Sequence, residues 1–401
     1  MSVYWVWFAE LRGISLHKKR QLLDDFRDPE ELYLTEPAAL PADVAEALQE
    51  KDLTAAEMIC SRCARKDIGI LPFTDAAYPE KLRNIEDPPM VLYWKGKLPD
   101  WKTQPIISVV GTRKASPYGL HTARLLGGHI AACGGLVVSG AASGIDTAAM
   151  RGALDADRPT IGVLGGGVDV VYPASNRGLY HDVEQYGCLI SEYPPGTQTI
   201  GVHFPVRNRI ISGLSLGVLV VEAPEKSGAL ITASRALDQG RDVFAVPANV
   251  DVYSCRGNLK LLREGAIVAR DAWDVLQEYA ALYPKQLHRA SAISFLPEKQ
   301  QPKPEPVRPQ ATAVQSSPPA ELPQTAPPPG PAPGKVLSPE KLERLSPDER
   351  VIVQALEPGV LHIDELVNQT KLPAGRVLAS LTLLEVKGIV RRQPGKRFAL
   401  A

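Results

Sequence analysis

Residues 106–146 read IISVVGTRKASPYGLHTARLLGGHIAACGGLVVSGAASGID. The pattern predicts a buried strand over Ile106–Val110, a helix that opens near Pro117, a second strand over 136–138 and then a turn rich in glycine and serine. Doubly wound α/β folds build anion sites from two such strand–turn–helix units, because unpaired helix N–H groups face the strand ends. The stretch therefore predicts that a phosphate binds at the carboxyl edge of a parallel sheet.

Further apolar runs extend this sheet as far as residue 282. They predict strands at 160–164, 188–191, 218–221, 243–246 and 266–268, with amphipathic segments between most of them. Runs rich in Val, Ile and Leu that alternate with helices indicate a parallel sheet covered on both faces. Adjacent prolines force extended backbone before residues 90–94, which we predict to be an edge strand or a lead-in to the sheet. The predicted fold class is α/β with a doubly wound, mostly parallel sheet.

Three more segments flank the α/β domain, which we place at residues 66–285. Residues 1–65 have helical spacing of apolar side chains and predict a helical domain of the SAM or helix-hairpin-helix type. The turn at 11–15 resembles a single helix-hairpin-helix element that grips DNA backbone, and a plain packing role is the alternative. Residues 286–343 are rich in proline and poor in large apolar residues, so they predict a disordered linker.

Residues 344–401 predict a winged helix. Ser346-Pro347-Asp348-Glu349 is a capping box with proline at the first helical position, and three helices and a terminal hairpin follow. The third helix is poor in outward basic residues, which argues against reading of the major groove. The hairpin is basic, and phosphate contact and a solvated charged hairpin both remain open. The basic residues of the third helix are Arg376 and Lys387, and those of the hairpin are Arg391, Arg392, Lys396 and Arg397.

Composition limits the possible functions. The chain has 401 residues with 45 basic and 45 acidic side chains, so nucleic-acid binding requires a local basic patch. No basic region precedes the apolar start, no run reaches the roughly 18–20 apolar residues of a membrane span, and the five cysteines are sparse. These features predict a cytoplasmic protein with reduced thiols and no membrane partner. Cys60-x-x-Cys63 lacks a second ligand pair, so no metal site is predicted.

The strand-end turns exclude the common nucleotide cofactors. A dinucleotide site needs three spaced glycines after the first strand and an acidic residue at the ribose. Here the first turn is Gly111-Thr112-Arg113-Lys114, and the second strand ends in Ser139-Gly140. The glycine-rich loop of ATP-hydrolysing proteins is also missing, and no catalytic triad or carboxylate pair stands out. We therefore predict no cofactor.

Basic residues in the remaining loops point to a larger anion. Pro205 sits just inside a predicted helix start, which places Arg207 and Arg209 in a first turn where positive charge opposes the helix dipole. Their presence suggests an anion outside the fold, and Tyr180 or Phe204 would offer a base a stacking face. The cations expected to ring a pocket floored by glycine amides are Arg113, Lys114, Arg177, Arg207, Arg209 and Lys226.

Purely structural roles compete for several of these residues. Asp146 and Thr147 are suited to cap their own helix, and Phe204 is suited to the core. One of the two arginines Arg207 and Arg209 is expected to pair internally with a glutamate, either Glu192 or Glu222.

Six ordered motifs resemble those of the DprA/Smf DNA-processing family, over residues 77–268. They are Val110-Gly111-Thr112-Arg113, Ser139-Gly140-x-Ala142-x-Gly144-Ile145-Asp146, Tyr172-Pro173-x-x-Asn176, Ser191-Glu192-x-Pro194-Pro195-Gly196, Phe204-Pro205-x-Arg207-Asn208-Arg209 and Ser227-Gly228-x-Leu230-Ile231-Thr232. One departure is Pro247-Ala248, where the family usually has Pro-Gly.

The resemblance implies an extended Rossmann-like fold and a homodimer without established enzymatic activity. It further implies binding of single-stranded DNA during natural transformation, with protection of incoming strands and loading of the RecA recombinase. The residues it implies in strand binding are Ser139, Gly140, Arg113, Arg177, Tyr180, Arg207, Asn208 and Arg209. The complete predicted nucleic-acid-binding set is Gly111, Arg113, Lys114, Ser139, Gly140, Asn176, Arg177, Tyr180, Phe204, Arg207, Asn208, Arg209, Lys226, Ser227 and Gly228.

Two other functions remain as alternatives. Rossmann-like phosphoribohydrolases carry a Pro-Gly-Gly-x-Gly-Thr-x-x-Glu loop where this chain has residues 227–235. Gly228 is kept, but Ser234 and Arg235 stand near the position of the glutamate, so the general acid or base is missing. The second alternative is a winged-helix regulator of duplex DNA.

Overall fold

The computed structural model describes residues 2–49, 51–290, 345–393 and 397–400. One compact unit contains everything described up to residue 290, and a second contains everything described from residue 345 onward. Most of the predicted linker at 286–343 lies outside the described residues. The predicted domain boundaries therefore stay predictions.

A nine-stranded sheet dominates the first unit, with the strand order β1-β2-β6-β5-β4-β3-β7-β8-β9. Its strands are β1 (Gly69–Pro72), β2 (Val91–Gly96), β3 (Ile106–Val110), β4 (Leu136–Ser139), β5 (Thr160–Val163), β6 (Cys188–Ser191), β7 (Gly217–Val220), β8 (Asp242–Ala245) and β9 (Ile267–Val268). The pairs β1–β2 and β2–β6 are antiparallel and the other pairs are parallel. The predicted α/β class is confirmed. The strand near residues 90–94 is not at the edge, because β1 covers it.

The chain reverses direction across the sheet at β3. It runs outward from β3 through β4 and β5 to β6, then returns to place β7 on the other side of β3. In open α/β sheets, ligands bind in the crevice beyond the carboxyl ends of the two strands at such a switch point. The crevice between the ends of β3 and β7 is therefore the position to search for a site.

Helices cover both faces of this sheet. They are α6 (Glu80–Arg83), α7 (Pro117–Ala132), α8 (Ile145–Asp155), α9 (Arg177–Tyr186), α10 (His203–Leu214), α11 (Gly228–Asp238), α12 (Arg256–Arg263) and α13 (Ala272–Leu276). Helix α7 begins with Pro117 behind the N-cap Ser116, whose Oγ accepts a hydrogen bond from the Gly119 amide at 3.0 Å. The position at which α7 begins is thus determined by its own N-cap serine and proline.

Five helices precede the sheet and share its core. They are α1 (Ser2–Glu10), α2 (Leu16–Asp25), α3 (Pro29–Leu34), α4 (Ala42–Ala47) and α5 (Thr54–Arg65). Trp5 and Phe8 of α1 belong to the same apolar cluster as Tyr93 of β2. On α5, Arg62 Nη1 donates to the Pro195 carbonyl at 2.8 Å. The predicted helical character of this segment is confirmed, and these helices are packed onto the sheet.

The described residues of the second unit form three helices and a small sheet. The helices are α14 (Pro347–Leu356), α15 (Ile363–Thr370) and α16 (Ala374–Val386), and the strands, in the order β10-β12-β11, are β10 (Leu361–His362), β11 (Val390–Gln393) and β12 (Arg397–Leu400). The capping box is confirmed, since Ser346 Oγ accepts from the Glu349 amide and Glu349 Oε2 accepts from the Ser346 amide. Three helices followed by the antiparallel β11–β12 hairpin, packed around an apolar core of their own, confirm the predicted winged helix. Lys396 of the predicted basic wing lies outside the described residues.

Within the described part of the chain, no helix is long and apolar enough to cross a membrane.

A buried lysine makes the stability of the first unit depend on pH. Lys19 is 3% exposed, and its Nζ donates to the Ala9 carbonyl at 2.7 Å. Burial lowers the pKa of Lys19 to about 8, against the opposing charge of Glu10. An unfolded lysine has a pKa of about 10.4, so between the two values the unfolded state binds more protons and stability rises with pH.

We expect Lys19→Met to stabilise the unit by about 1–3 kcal/mol at neutral pH, because the buried charge is removed. The variant should also lose the part of the rise in stability above pH 8 that this lysine contributes. Urea unfolding at several pH values measures both effects, with Lys97→Met at an exposed position as the control. An unchanged pH profile in Lys19→Met would contradict the assignment.

Candidate nucleic-acid interface

A cleft of about 280 Å³ opens at the switch point. The loop after β3, the N-terminal parts of α8, α10 and α11, and the loop after β7 form its walls. Eight residues of the predicted set line it: Gly111, Arg113, Phe204, Arg207, Asn208, Lys226, Ser227 and Gly228. The structure thus brings together loops that are far apart in sequence, as expected for a site at the carboxyl edge of a parallel sheet.

The carboxylate of Glu222 occupies the N-terminus of α7, the helix that follows β3. Glu222 follows β7, and its Oε2 accepts hydrogen bonds from the Ser116 hydroxyl at 2.7 Å and the Ser116 amide at 3.2 Å. Gly119 allows this approach, because a Cβ at that position would overlap the carboxylate. The N-terminus of this helix is where dinucleotide folds hold their pyrophosphate. Here the protein supplies its own anion.

A second internal carboxylate fills the turn after β4. Asp146 Oδ2 accepts from the Gly140 amide at 3.1 Å. Burial raises the pKa of Asp146, and the charge of Arg207 and hydrogen bonds from the Ala142 and Gly140 amides act in the opposite direction. The amides that we expected to hold a phosphate therefore hold a side chain of the protein.

The prediction that Asp146 and Thr147 cap their helix is wrong. Helix α8 begins after Gly144, which has φ +81° and no capping side chain. The Thr147 hydroxyl instead donates to the Ala142 carbonyl at 2.7 Å and accepts from Asn176 Nδ2 at 2.7 Å. Both residues therefore tie the turn to neighbouring elements.

Arg209 is an internal residue. Its guanidinium donates to both carboxylate oxygens of Glu192, at 2.8 and 2.7 Å, and its Nε donates to the Asp87 carbonyl at 2.9 Å. The side chain is 2% exposed. The prediction that one of the two arginines pairs with Glu192 or Glu222 is confirmed, whereas the expected place of Arg209 in the ring around the cleft is wrong. Helix α10 begins at His203, so both arginines fall beyond its first turn.

Arg207 forms part of the floor of the cleft. Its Nη1 donates to the Gly140 carbonyl at 2.7 Å and also to the Val163 carbonyl, and the residue is 3% exposed. Burial lowers the pKa of Arg207, and the nearby carboxylate of Asp146 opposes this shift. Arg207 and Asp146 are therefore two opposite charges buried among the residues that line the cleft.

Four more predicted residues have structural hydrogen bonds away from the cleft lining. The Ser139 hydroxyl donates to the Val109 carbonyl at 2.6 Å, and Asn176 Nδ2 donates to the Ala141 carbonyl at 2.9 Å. Gly140 accepts from Arg207, as described above. The expected stacking face of Tyr180 is wrong, because its ring is buried and its hydroxyl donates to the Tyr172 carbonyl at 3.0 Å.

The mouth of the cleft is cationic and aromatic. The exposed guanidinium of Arg113 lies 4.0 Å from the centre of the Phe204 ring. Phe204 is half-buried, and the Tyr172 ring lies 5.7 Å from it with an interplanar angle of 43°. Lys226 lies exposed on another wall, while Lys114 and Arg177 are exposed outside the cleft lining. Of the six cations expected in the ring, Arg113, Arg207 and Lys226 line the cleft.

Helix α11 contributes an N-terminus that has no acidic residue in its first turn. Ser227 caps it by accepting from the Ala229 amide at 3.3 Å, and Asn208 Nδ2 donates to the Gly228 carbonyl at 3.3 Å. The positive end of a helix dipole favours an anion. Together with Arg113 and Lys226, this wall is suited to phosphate.

A neighbouring basic groove of about 560 Å³ was not predicted. Lys226 lines both cavities, and the groove continues along α12 past Arg256, Lys260 and Arg263. These three residues are spaced i, i+4 and i+7, so a search for charged helix faces in the sequence would have found them.

The fold and the cleft define a class of protein: a Rossmann-like protein with a cleft suited to an anion, whose chain also carries a winged helix. Residues 69–280 match the family model for DNA recombination-mediator protein A, and residues 321–396 match that for the DprA winged helix domain. The chain belongs to the DprA/Smf family.

Individual relatives agree with this assignment. Protein Smf of Synechocystis sp. is 33% identical over 409 residues, covering 99% of this chain and 98% of the relative. DNA processing protein DprA of Bacillus subtilis is 43% identical over 211 residues, covering 53% of this chain and 71% of the relative. The X-ray structure of DprA from Streptococcus pneumoniae aligns with a TM-score of 0.60 at 33% identity, covering 69% of this chain and 98% of that one.

We expect Arg209→Met to destabilise the first unit by about 3–5 kcal/mol, because it leaves the largely buried Glu192 carboxylate without its partner. Arg113→Met should cost less than about 1 kcal/mol, the value of an exposed cation–π contact. Urea unfolding compares the two, and Glu192→Gln offers a milder break of the same pair. Equal losses at the two arginines would contradict the division into internal and exposed cations.

Proposed function

We propose that the cleft binds single-stranded DNA without sequence preference. The observation that carries the proposal is the Arg113 guanidinium placed on the Phe204 ring at the mouth of the cleft. A single strand presents a phosphate and an unstacked base next to each other, so it can contact a cation and an aromatic face at once. A duplex buries the faces of its bases in the helix stack.

The rest of the cleft supports the same ligand. Lys226 and the N-terminus of α11 offer a second position for phosphate, and no acidic side chain is exposed among the lining residues. A volume of about 280 Å³ suits one nucleotide unit rather than a duplex. A strand that leaves past Lys226 would meet the basic groove of α12.

Family membership supports a wider role for this binding. We propose that the protein acts in the cytoplasm as a homodimer, protects incoming single strands during natural transformation and helps to load the RecA recombinase. The matching family description, DNA recombination-mediator protein A, agrees with a role in passing single strands to a recombinase. In this role the protein binds DNA and catalyses no reaction.

The cleft gives little support to the phosphoribohydrolase alternative. The one carboxylate among its lining residues is that of Asp146, which is buried and accepts hydrogen bonds from amides. Arg235 is exposed on α11 at the position expected for a catalytic glutamate. A general acid or base needs a carboxylate within reach of the substrate.

The winged helix gives little support to a duplex regulator. Arg376 pairs with Asp348 at 2.6 Å and Lys387 pairs with Glu349 at 2.7 Å, both inside the domain. The two main basic residues predicted for the third helix are thus already paired with carboxylates of the same domain.

We expect Arg113→Ala to weaken binding of a dT oligomer and of mixed-sequence strands alike, because phosphate contacts do not read bases. The slope of log affinity against log salt should become shallower by about 0.7, the value for one phosphate of a single strand. Fluorescence anisotropy over a salt series measures both quantities. Lys97→Ala removes an exposed cation that lies outside the cleft lining and outside the predicted binding set, and it is the control.

Phe204→Leu should weaken binding by about 1–3 kcal/mol while leaving the salt slope unchanged, because it removes stacking and no charge. Duplex competitors and nucleoside monophosphates are added in the same assay. Tighter binding of duplex than of single strand, or release of free base from a monophosphate, would overturn the proposal.

A further inference from the structure

A second large cavity, of about 840 Å³, lies at the amino edge of the sheet. Ile106 begins β3, Leu214 ends α10 before β7, and Arg241 directly precedes β8, so these lining residues mark the starts of the three strands. The DNA cleft lies at the opposite ends of the same strands. The two cavities are therefore separate sites on the two edges of one sheet.

Two buried hydrogen-bond donors in the lining have no partner among the residues that the structure describes. They are Nε of Arg241 and the indole N–H of Trp101. Arg241 is held in place by its Nη2, which donates to the Lys81 carbonyl at 3.0 Å and the Gly213 carbonyl at 3.3 Å. A buried donor left unpaired costs about 1–3 kcal/mol, and such groups are rare in native proteins. Both donors call for an acceptor in the cavity.

Two cations of the lining, Arg241 and Lys81, form no salt bridge with another described residue. In the described part of the chain Arg241 forms no ion pair, and the carboxylate acting on Lys81 is that of the adjacent Glu80. Burial lowers the pKa of Lys81, and the charge of Arg241 lowers it further. Arg209, in contrast, has Glu192 and Asp87 beside it. The lining carries three cations, Lys81, Lys102 and Arg241, and two carboxylates, Glu80 and Asp100, so its formal charge is positive by one.

We propose that this cavity binds a small organic phosphate, with the phosphate group between Arg241 and Lys81 and within reach of the Trp101 indole N–H. A phosphate carries close to two negative charges at neutral pH and several acceptor oxygens, which matches two cations and two unpaired donors. The guanidinium fork has the geometry that phosphate needs. Leu98 and Tyr283 offer an apolar wall to the organic part.

A mononucleotide has the required chemistry and size. Its phosphate would meet the cations, and its flat base would lie against Tyr283 or Trp101. Its sugar hydroxyls can donate to the carboxylate of Glu80 at the same cavity. The volume is in the range of sites that enclose small organic ligands.

The test uses the full chain and isothermal titration with adenosine 5′-monophosphate, adenosine and inorganic phosphate. We expect one monophosphate per chain, with adenosine and inorganic phosphate each binding at least tenfold more weakly. Trp101→Phe keeps the ring contact but removes the N–H donor, and Lys81→Met removes one charge. Each should weaken binding of the monophosphate about tenfold. Arg241→Met is not the first choice, because its hydrogen bonds to two carbonyls also support the fold.

Arg113→Ala is the matched control, because it lies in the other cavity and should leave binding of the monophosphate unchanged. Affinity for dT oligomers should in turn be unchanged in Trp101→Phe, so the two sites can fail independently. The proposal is overturned if the monophosphate does not bind at millimolar concentration or if binding survives both Trp101→Phe and Lys81→Met. It is also overturned if Arg113→Ala abolishes binding or inorganic phosphate binds as tightly as the monophosphate.

Discussion

The Glu222 carboxylate ties the two halves of the sheet together at the switch point. It follows β7, yet its hydrogen bonds go to Ser116 at the start of the helix after β3. The same residue accepts the Thr112 amide on its backbone carbonyl at 2.7 Å. A buried carboxylate is costly to desolvate, and here charge-assisted hydrogen bonds and a helix dipole offset that cost. This carboxylate occupies the helix N-terminus at which dinucleotide folds hold their pyrophosphate. The wall formed by the N-terminus of α11 remains suited to an external anion.

The motif residues divide into two groups with opposite tasks. Arg209 and Arg207 are buried and bonded to protein acceptors, so they hold α10 to the loops beside it. Arg113 and Lys226 are exposed and face the cleft. The salt dependence of the proposed strand binding would increase with the number of exposed cations that contact phosphate, while the internal pairs fix the shape of the loops that carry those cations.

The sequence predicted the fold more completely than the site. Continuous apolar runs identify parallel strands, and the rule that their carboxyl ends meet at one edge brought Arg113, Phe204 and Lys226 together correctly. Whether an arginine of α10 faces inward depends on where that helix begins, and the true start at His203 is earlier than the proline signal indicated. Hydroxyl groups such as those of Ser139 and Tyr180 find their partners only in three dimensions.

The shared core of α1 and β2 has a consequence for synthesis on the ribosome. Trp5 and Phe8 are translated first, but Tyr93 of β2 in the same apolar cluster and the Pro195 carbonyl that binds Arg62 of α5 come later in the chain. At about 5–20 residues per second, the gap between α5 and that carbonyl lasts on the order of ten seconds. During this interval the nascent helices expose an apolar face that the sheet covers only later.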